Sequence, residues 1–267
     1  MGETHASEVE QGKRFEFGAN WARFLTILNE ERIKQAEQSL MAMLGQQDLN
    51  GKTFLDIGSG SGLFSLAAYR LGAKVHSFDY DPQSVECTRE LQRRYCPDNS
   101  KWIVEQASAL DQDYLQKLGQ FDVVYSWGVL HHTNQMWQAL ENVVPLVKVK
   151  GQLFIAIYND QGFISDYWTA VKRIYNKNLV GRVFTVCIHY PYLFVLRWLI
   201  RKLSGRSIER GMDIWRDMLD WLGGYPFEVA KPEEIYSFFQ NRDFVLRRLK
   251  TCGGRMGCNE FVFEKGP

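Results

Sequence analysis

A chain of 267 residues has room for one sizeable α/β domain with an embellishment, or for two small domains. Hydrophobic residues make up 45% and charged residues 24%, a balance that excludes disordered and fibrous classes. With 32 Lys and Arg against 31 Asp and Glu the net charge is +1, so no global field draws the molecule to nucleic acid, and only a local patch could do so. The five cysteines (Cys87, Cys96, Cys187, Cys252, Cys258) form no CxxC pair and have no histidine at zinc-ligand spacing. They read as reduced thiols, and no metal site is expected. The N-terminal MGETHASEVEQGKRFEF is polar and lacks the apolar core of a signal peptide, so the expected location is the cytoplasm.

In chain order, apolar residues at helical spacing (Trp21, Phe24, Leu25, Leu28, then Ile33, Ala36, Leu40, Leu44) predict one or two amphipathic helices over 20–44. From Lys52 short apolar strands alternate with helical stretches. Strands are expected at Thr53–Ile57, Lys74–Asp79, Trp102–Gln106, Phe121–Ser126 and Gln152–Tyr158. Helices are expected at Gly62–Leu71, Ser84–Tyr95 and Gln135–Val147. This order predicts a parallel sheet with helices on both faces. The alternation stops between Asn159 and Glu228, where the texture is helical and rich in aromatics. It resumes with a helix at Pro232–Arg242 and strands at Phe244–Lys250 and Glu260–Glu264, too close together for a crossover helix. The last strand is therefore expected to be antiparallel. The expectation is an α/β, Rossmann-like, doubly wound sheet of seven strands. Residues 46–160 and 228–267 form it, 1–45 are a helical extension and 161–227 a helical insertion.

The most informative segment is Phe54-Leu55-Asp56-Ile57-Gly58-Ser59-Gly60-Ser61-Gly62. A strand runs into three alternate glycines and then a helix, whose first N–H groups and tight turn suit a closely bound ligand. The spacing is G-x-G-x-G, whereas the pyrophosphate fingerprint is G-x-G-x-x-G. Asp56, two residues before the first glycine, would repel a pyrophosphate but suits the ammonium of a methionine moiety, directly or through water. Asp79, ending the second strand, is placed to accept hydrogen bonds from ribose hydroxyls.

Asp56-Ile57-Gly58-Ser59-Gly60-Ser61-Gly62, Phe78-Asp79-Tyr80-Asp81 and Phe121-Asp122-Val123-Val124-Tyr125-Ser126 resemble the successive motifs of class I S-adenosylmethionine-dependent methyltransferases. Gly128-Val129-Leu130-His131-His132 is similar to the branch containing the ubiquinone-biosynthesis O-methyltransferases. The resemblance covers roughly 50–160 and is specific for fold and cofactor, not for the methyl acceptor. It implies S-adenosyl-L-methionine as cofactor, with Asp56, Gly58, Ser59, Gly60 and Gly62 along its methionine part. Asp79 would then hold the ribose and Tyr80 pack on the adenine. Ser108 stands where the family often has an adenine-binding Asp, which shifts that contact toward the backbone of Ala109. Ser126, Trp127 and Gly128 would border the transferred methyl.

Methyl transfer from a sulfonium needs donor and acceptor in line, and a hydroxyl acceptor must also lose a proton. His131 and His132 follow strand four at the edge where open sheets bind ligands, so either is a candidate general base or merely a helix cap. Asp160, a further catalytic candidate, either binds or deprotonates the acceptor or closes a turn before Gln161-Gly162. Tyr158, Arg255 and, from the N-terminal helices, Trp21 are candidate acceptor contacts. The insertion sets Lys172, Arg173, Lys177, Arg182, Arg197, Arg201, Lys202, Arg206 and Arg210 against only Asp166 and Glu209 over 161–210. It reads as a lid, as a peripheral membrane contact through 172–210, or as a solvated basic face. The expected acceptor is a small aromatic or amphiphilic molecule methylated on oxygen. RNA or a peptide as acceptor, or cofactor binding without chemistry, are the alternatives. RNA is disfavoured by the neutral net charge, and the sequence does not reveal the oligomeric state.

Overall fold

The computed structural model describes residues 4–96, 101–196, 198 and 214–267. Three helices, α1 (His5–Glu10), α2 (Gly18–Ile27) and α3 (Glu30–Leu44), precede a seven-stranded sheet. The strands are β1 (Thr53–Ile57), β2 (Lys74–Asp79), β3 (Trp102–Gln106), β4 (Phe121–Trp127), β5 (Val147–Tyr158), β6 (Phe244–Lys250) and β7 (Cys258–Lys265). Their order across the sheet is β3-β2-β1-β4-β5-β7-β6. Pairing is parallel from β3 to β5, and β7 runs antiparallel to both β5 and β6.

The intervening helices are α4 (Leu63–Arg70), α5 (Pro82–Tyr95), α6 (Gln112–Leu118), α7 (Met136–Val143) and, before β6, α11 (Pro232–Gln240). The two-residue period of β1 sends Leu55 and Ile57 into one core and Phe54 into the other. The first core joins them to Leu140 of α7 and Phe239 of α11, the second to Leu40 of α3, Leu66 of α4 and Leu91 of α5. Covering both sheet faces leaves ligand access at the strands' carboxyl ends. There β1 has β2 on one side and β4 on the other, the switch point where such sheets bind ligands.

Most boundaries follow from local chemistry. Asp81 caps α5 through the Gln83 N–H, with Pro82 at the first turn. Asn29 caps the start of α3, and Gly45 ends it in the left-handed conformation. Some elements depart from expectation, including α1, which was not anticipated. The helix expected over Gln135–Val147 stops at Val143, because Pro145 tightens the chain into a short turn, and β5 already begins at Val147. Helix α6 was not anticipated; it is seven residues long, held by its Asp111 cap and ended at Gly119.

The stretch between β5 and β6 contains α8 (Phe163–Lys177), α9 (Leu179–Tyr190) and α10 (Ile214–Gly223). These helices enclose their own core of Trp168, Val171, Tyr175, Leu193, Met218, Leu222 and Phe227, onto which Phe15 and Tyr158 pack. Of the basic residues noted in this stretch, Arg197, Arg201, Lys202, Arg206 and Arg210 lie outside the described residues. Among the described residues, no helix is long and apolar enough to cross a membrane.

Candidate functional site

The loop after β1 is built from backbone that only glycine adopts easily. Gly58, Gly60 and Gly62 have φ of 78°, 54° and 80°. A Cβ on Gly58 would stand 2.4 Å from the Val129 methyls, and one on Gly62 would stand 2.9 Å from Thr88 Cα. The loop is thus pressed between the β4 turn and α5. Ser59 is buried and its hydroxyl meets Thr88 Oγ1 at 2.9 Å.

Asp79 lies across this loop. Its carboxylate accepts the Gly60 N–H at 2.8 Å and the Asp81 N–H at 2.9 Å. Burial nevertheless pushes its carboxyl up to about 6, since these bonds offset only part of the lost hydration. Asp56 sits deeper. Trp102 donates to Ser77, Ser77 and Ser65 share a bond, and the Ser65 hydroxyl donates to the Asp56 carboxylate. Burial, offset by Ser65 and reinforced by the Asp79 charge, pushes Asp56 up to about 7. The structure therefore makes Asp56 the terminus of a buried hydroxyl relay beneath the loop. An uncharged amide should be tolerated there: Asp56→Asn is expected to shift the melting temperature at pH 8 by no more than a few degrees, read by calorimetry.

The N-terminal segment closes over the same region. Gly18 N–H donates to Asp81 at 2.7 Å, and the Trp21 ring would meet a Cβ on Gly60 at 3.2 Å. Tyr80 has the edge of His5 at 5.4 Å and the Arg14 guanidinium over its ring at 4.9 Å. Arg14 also donates to the His132 carbonyl at 3.0 Å, and Phe17 packs on the His132 ring at 5.1 Å. Sequence reasoning missed Arg14, Phe17 and Gly18, because nothing in their spacing marks a segment that crosses from β2 to β4.

Along β4, the Ser126 hydroxyl donates to the Ile57 carbonyl at 3.0 Å, tying the ends of β1 and β4 together. Trp127 packs against the second core, and Gly128, at φ 75°, turns the chain so that Val129 lies on Gly58. After β3, the Ser108 hydroxyl accepts the Leu110 N–H at 3.1 Å, so it shapes a turn, while the buried Ala109 gives its carbonyl to Asn142.

His131 and His132 form a short helical turn and are both buried. Tyr158 lies against the His131 ring at 4.0 Å, and its N–H donates to His131 Nδ1 at 3.3 Å. A ring nitrogen that accepts carries no hydrogen, so the neutral ring holds its proton on Nε2, which is buried with no hydrogen-bond partner among the described residues. Burial, with the charges of His132 and Lys172, holds the His131 pKa well below its usual value. His132 Nδ1 donates to the Pro226 carbonyl at 2.5 Å, and burial lowers its pKa to about 3. Both rings are therefore neutral at pH 7. In this tautomer His131 presents a donor where a general base needs a lone pair, and His132 is engaged in holding Pro226.

Asp160 accepts the Gly162 N–H at 2.8 Å, the turn-forming alternative. Arg255 is on the exposed β6–β7 turn. Two of the insertion's many aromatics, Trp221 and Phe227, have rings 5.7 and 5.1 Å from Tyr158. With them belongs Lys172, read from sequence only as one charge of a basic face. No cluster of metal-ligand type occurs among the described residues.

Comparison with known proteins bears on this geometry. Residues 55–153 match the family model of a methyltransferase domain. The chain has the fold of the class I methyltransferases. Magnesium protoporphyrin IX methyltransferase from Synechocystis, with S-adenosylhomocysteine bound, superimposes at a TM-score of 0.52 with 14% identity, over 90% of this chain and 89% of that one. N-methyltransferase NodS from Bradyrhizobium japonicum, in complex with S-adenosylhomocysteine, gives 0.51 and 14%, over 94% of this chain and 100% of that one. In sequence, the ribosomal protein L11 methyltransferase of Photobacterium profundum is 48% identical over 52 residues, 19% of this chain and 18% of that protein. That of Helicobacter hepaticus is 27% identical over 143 residues, 49% and 45% of the two chains. The chain thus spans less than half the length of these curated relatives.

The methyltransferase domain implies S-adenosyl-L-methionine as cofactor, and the residues fit it. The Asp79 carboxylate at the β2 end suits vicinal hydroxyls, Gly58, Gly60 and Gly62 let a ligand approach the loop backbone, and Tyr80 follows Asp79 with the Arg14 guanidinium on its ring.

Proposed function

We propose that this methyltransferase-fold protein transfers the methyl group of S-adenosylmethionine to an oxygen of a small aromatic or amphiphilic molecule. The observation that carries the reading is a juxtaposition at one sheet edge. The loop bonded to Asp79 touches, through Val129 on Gly58, the turn that carries His131, and Tyr158 at the end of β5 packs on that ring. The bound cofactor supplies a sulfonium methyl. Asp79 holds the ribose, Gly58–Gly62 the methionine part and Tyr80 the adenine, with Ala109 and Ser108 at its far edge. Gly128, Trp127 and Ser126 form the floor below the methyl, and Trp21 covers the glycine loop. Tyr158 and the aromatic residues of the insertion line the acceptor side, and the His131 Nε2–H bonds an acceptor oxygen. The acid-base demand falls on the acceptor's own ionisation, and in-line positioning supplies most of the acceleration.

On this reading Asp160→Asn changes turnover less than tenfold, because the amide oxygen still closes the turn; steady-state kinetics measure it. Membership in the ubiquinone-biosynthesis O-methyltransferase branch is part of the same proposal and rests on Gly128–His132. The L11 methyltransferase matches favour a second reading, a protein substrate. Incubation with methyl-labelled S-adenosylmethionine and a fractionated cell extract separates the two. Label in the small-molecule fraction supports the proposal, label in polypeptide supports the second reading, and no transfer to any fraction overturns both.

A further inference from the structure

Lys172, in the middle of α8, is fully buried. Its ammonium is held by the Trp221 carbonyl and by two ring faces, Trp221 at 4.5 Å and Phe227 at 4.7 Å. No carboxylate reaches it at ion-pair distance among the described residues, and Asp220 attracts it only from farther away. A cation taken out of water is costly unless an anion is brought to it. Two further donors border the same ring cluster. The Trp221 Nε1–H and the His131 Nε2–H are both buried and without a hydrogen-bond partner among the described residues. Unsatisfied buried donors are rare in folded proteins. Tyr158 joins the three, tilted against His131 at 4.0 Å and edge-on to Trp221.

The region therefore carries an amine that an anion would hold protonated and two N–H groups without a partner among the described residues, walled by Tyr158, Trp221 and Phe227. Its chemical complement is a negatively charged oxygen on a flat apolar body. We infer that the methyl acceptor is an organic anion, an aromatic carboxylate or a readily ionised aromatic hydroxyl, and that Lys172 and Trp221 bind its charged oxygen. The inference rests on the methyltransferase reading and names the acceptor class for that site. Burial also pushes the Lys172 ammonium down to about 7, as expected of a cation whose counter-ion comes with the substrate.

A structural role makes a different prediction. Lys172 bonds a carbonyl in the last turn of α10, where a lysine is a familiar cap. If capping is its purpose, Lys172→Met should lower the melting temperature and leave ligand binding alone. If it is an anion site, the same variant removes an uncompensated charge among rings, so stability should hold or rise while anion binding is lost. Trp221→Phe keeps an aromatic face and the backbone carbonyl that Lys172 bonds while removing the N–H with the pyrrole half of the indole, and so serves as the second, milder variant.

The test titrates the protein saturated with S-adenosylhomocysteine with benzoate and with its neutral isostere benzamide, followed by ligand-observed NMR. The expected result is benzoate binding that benzamide does not share, weakened at least tenfold in Lys172→Met and severalfold in Trp221→Phe, with S-adenosylhomocysteine affinity unchanged. Equal binding of the two probes, no benzoate binding at tens of millimolar, or benzoate affinity unaffected by both variants would overturn the anion site. Failure of S-adenosylhomocysteine to bind at all would instead overturn the cofactor reading beneath it.

Discussion

Asp79→Ala is expected to weaken S-adenosylmethionine binding by about 30- to 1,000-fold. In the proposed site the Asp79 carboxylate accepts from both ribose hydroxyls. Two charge-assisted bonds together are worth on the order of 2–4 kcal/mol. It also holds the Gly60 N–H, so its removal loosens the loop that receives the rest of the ligand. The same residue gives the site a pH dependence. Ribose binding favours the carboxylate, while burial in the free protein favours the protonated acid up to about pH 6. Affinity should therefore be flat above pH 7 and fall roughly tenfold by pH 5, with uptake of one proton by the free site. Stability runs the other way. The folded pKa values of Asp79 and Asp56 both lie above 3.8, so the folded protein binds more protons than the unfolded chain between about pH 4 and 7. The contribution of these two groups to stability falls as pH rises through that window. Calorimetry across pH 5 to 8 reads both effects, and a pH-independent affinity would remove Asp79 from the ligand.

Gly58→Ala is expected to cost about 2–5 kcal/mol of stability and to abolish cofactor binding. A left-handed residue bearing a Cβ loses roughly 1–2 kcal/mol from backbone sterics alone. The remainder is overpacking, on the order of 1–3 kcal/mol, because the new methyl meets both Val129 methyls at 2.4 Å. The two contributions separate in a double-mutant cycle. Val129→Ala removes the opposing methyls, so in the Gly58→Ala background it should restore part of the lost stability, whereas alone it should destabilise. Additive effects would show that the β4 turn is not packed on the glycine loop.

How far the sequence reveals this molecule depends on the range of the interactions. The strands of the parallel sheet and the glycine loop are written in local patterns, and β1, β2, β3 and β6 lie at the expected residues. The antiparallel β7 followed from a length argument, since too few residues separate it from β6 to cross the sheet. The elements that depart do so for local reasons: Pro145 shortens α7, and α6 is too short to show a helical period. The surroundings of Tyr158 were less legible. Lys172 looks like any surface lysine until α8, α10 and Phe227 enclose it, and its burial is a property of three segments far apart in sequence. The tautomer of His131 depends on the Tyr158 backbone, and the reach of Arg14 from Tyr80 to His132 on the docking of the N-terminal segment. His-His after strand four announces a functional edge, but the direction in which those rings donate is decided only by the fold.

Calorimetric titration of the purified protein with S-adenosylmethionine, and in parallel with NADH, tests the central claim most directly. Both ligands place a ribose where a β2 acid is found, but only S-adenosylmethionine brings an ammonium and no pyrophosphate to a G-x-G-x-G loop preceded by Asp56. The account predicts one S-adenosylmethionine bound per chain, displaced by S-adenosylhomocysteine, and no measurable heat from NADH. Binding of NADH with comparable affinity, or absence of S-adenosylmethionine binding at pH 7 to 8, would contradict it.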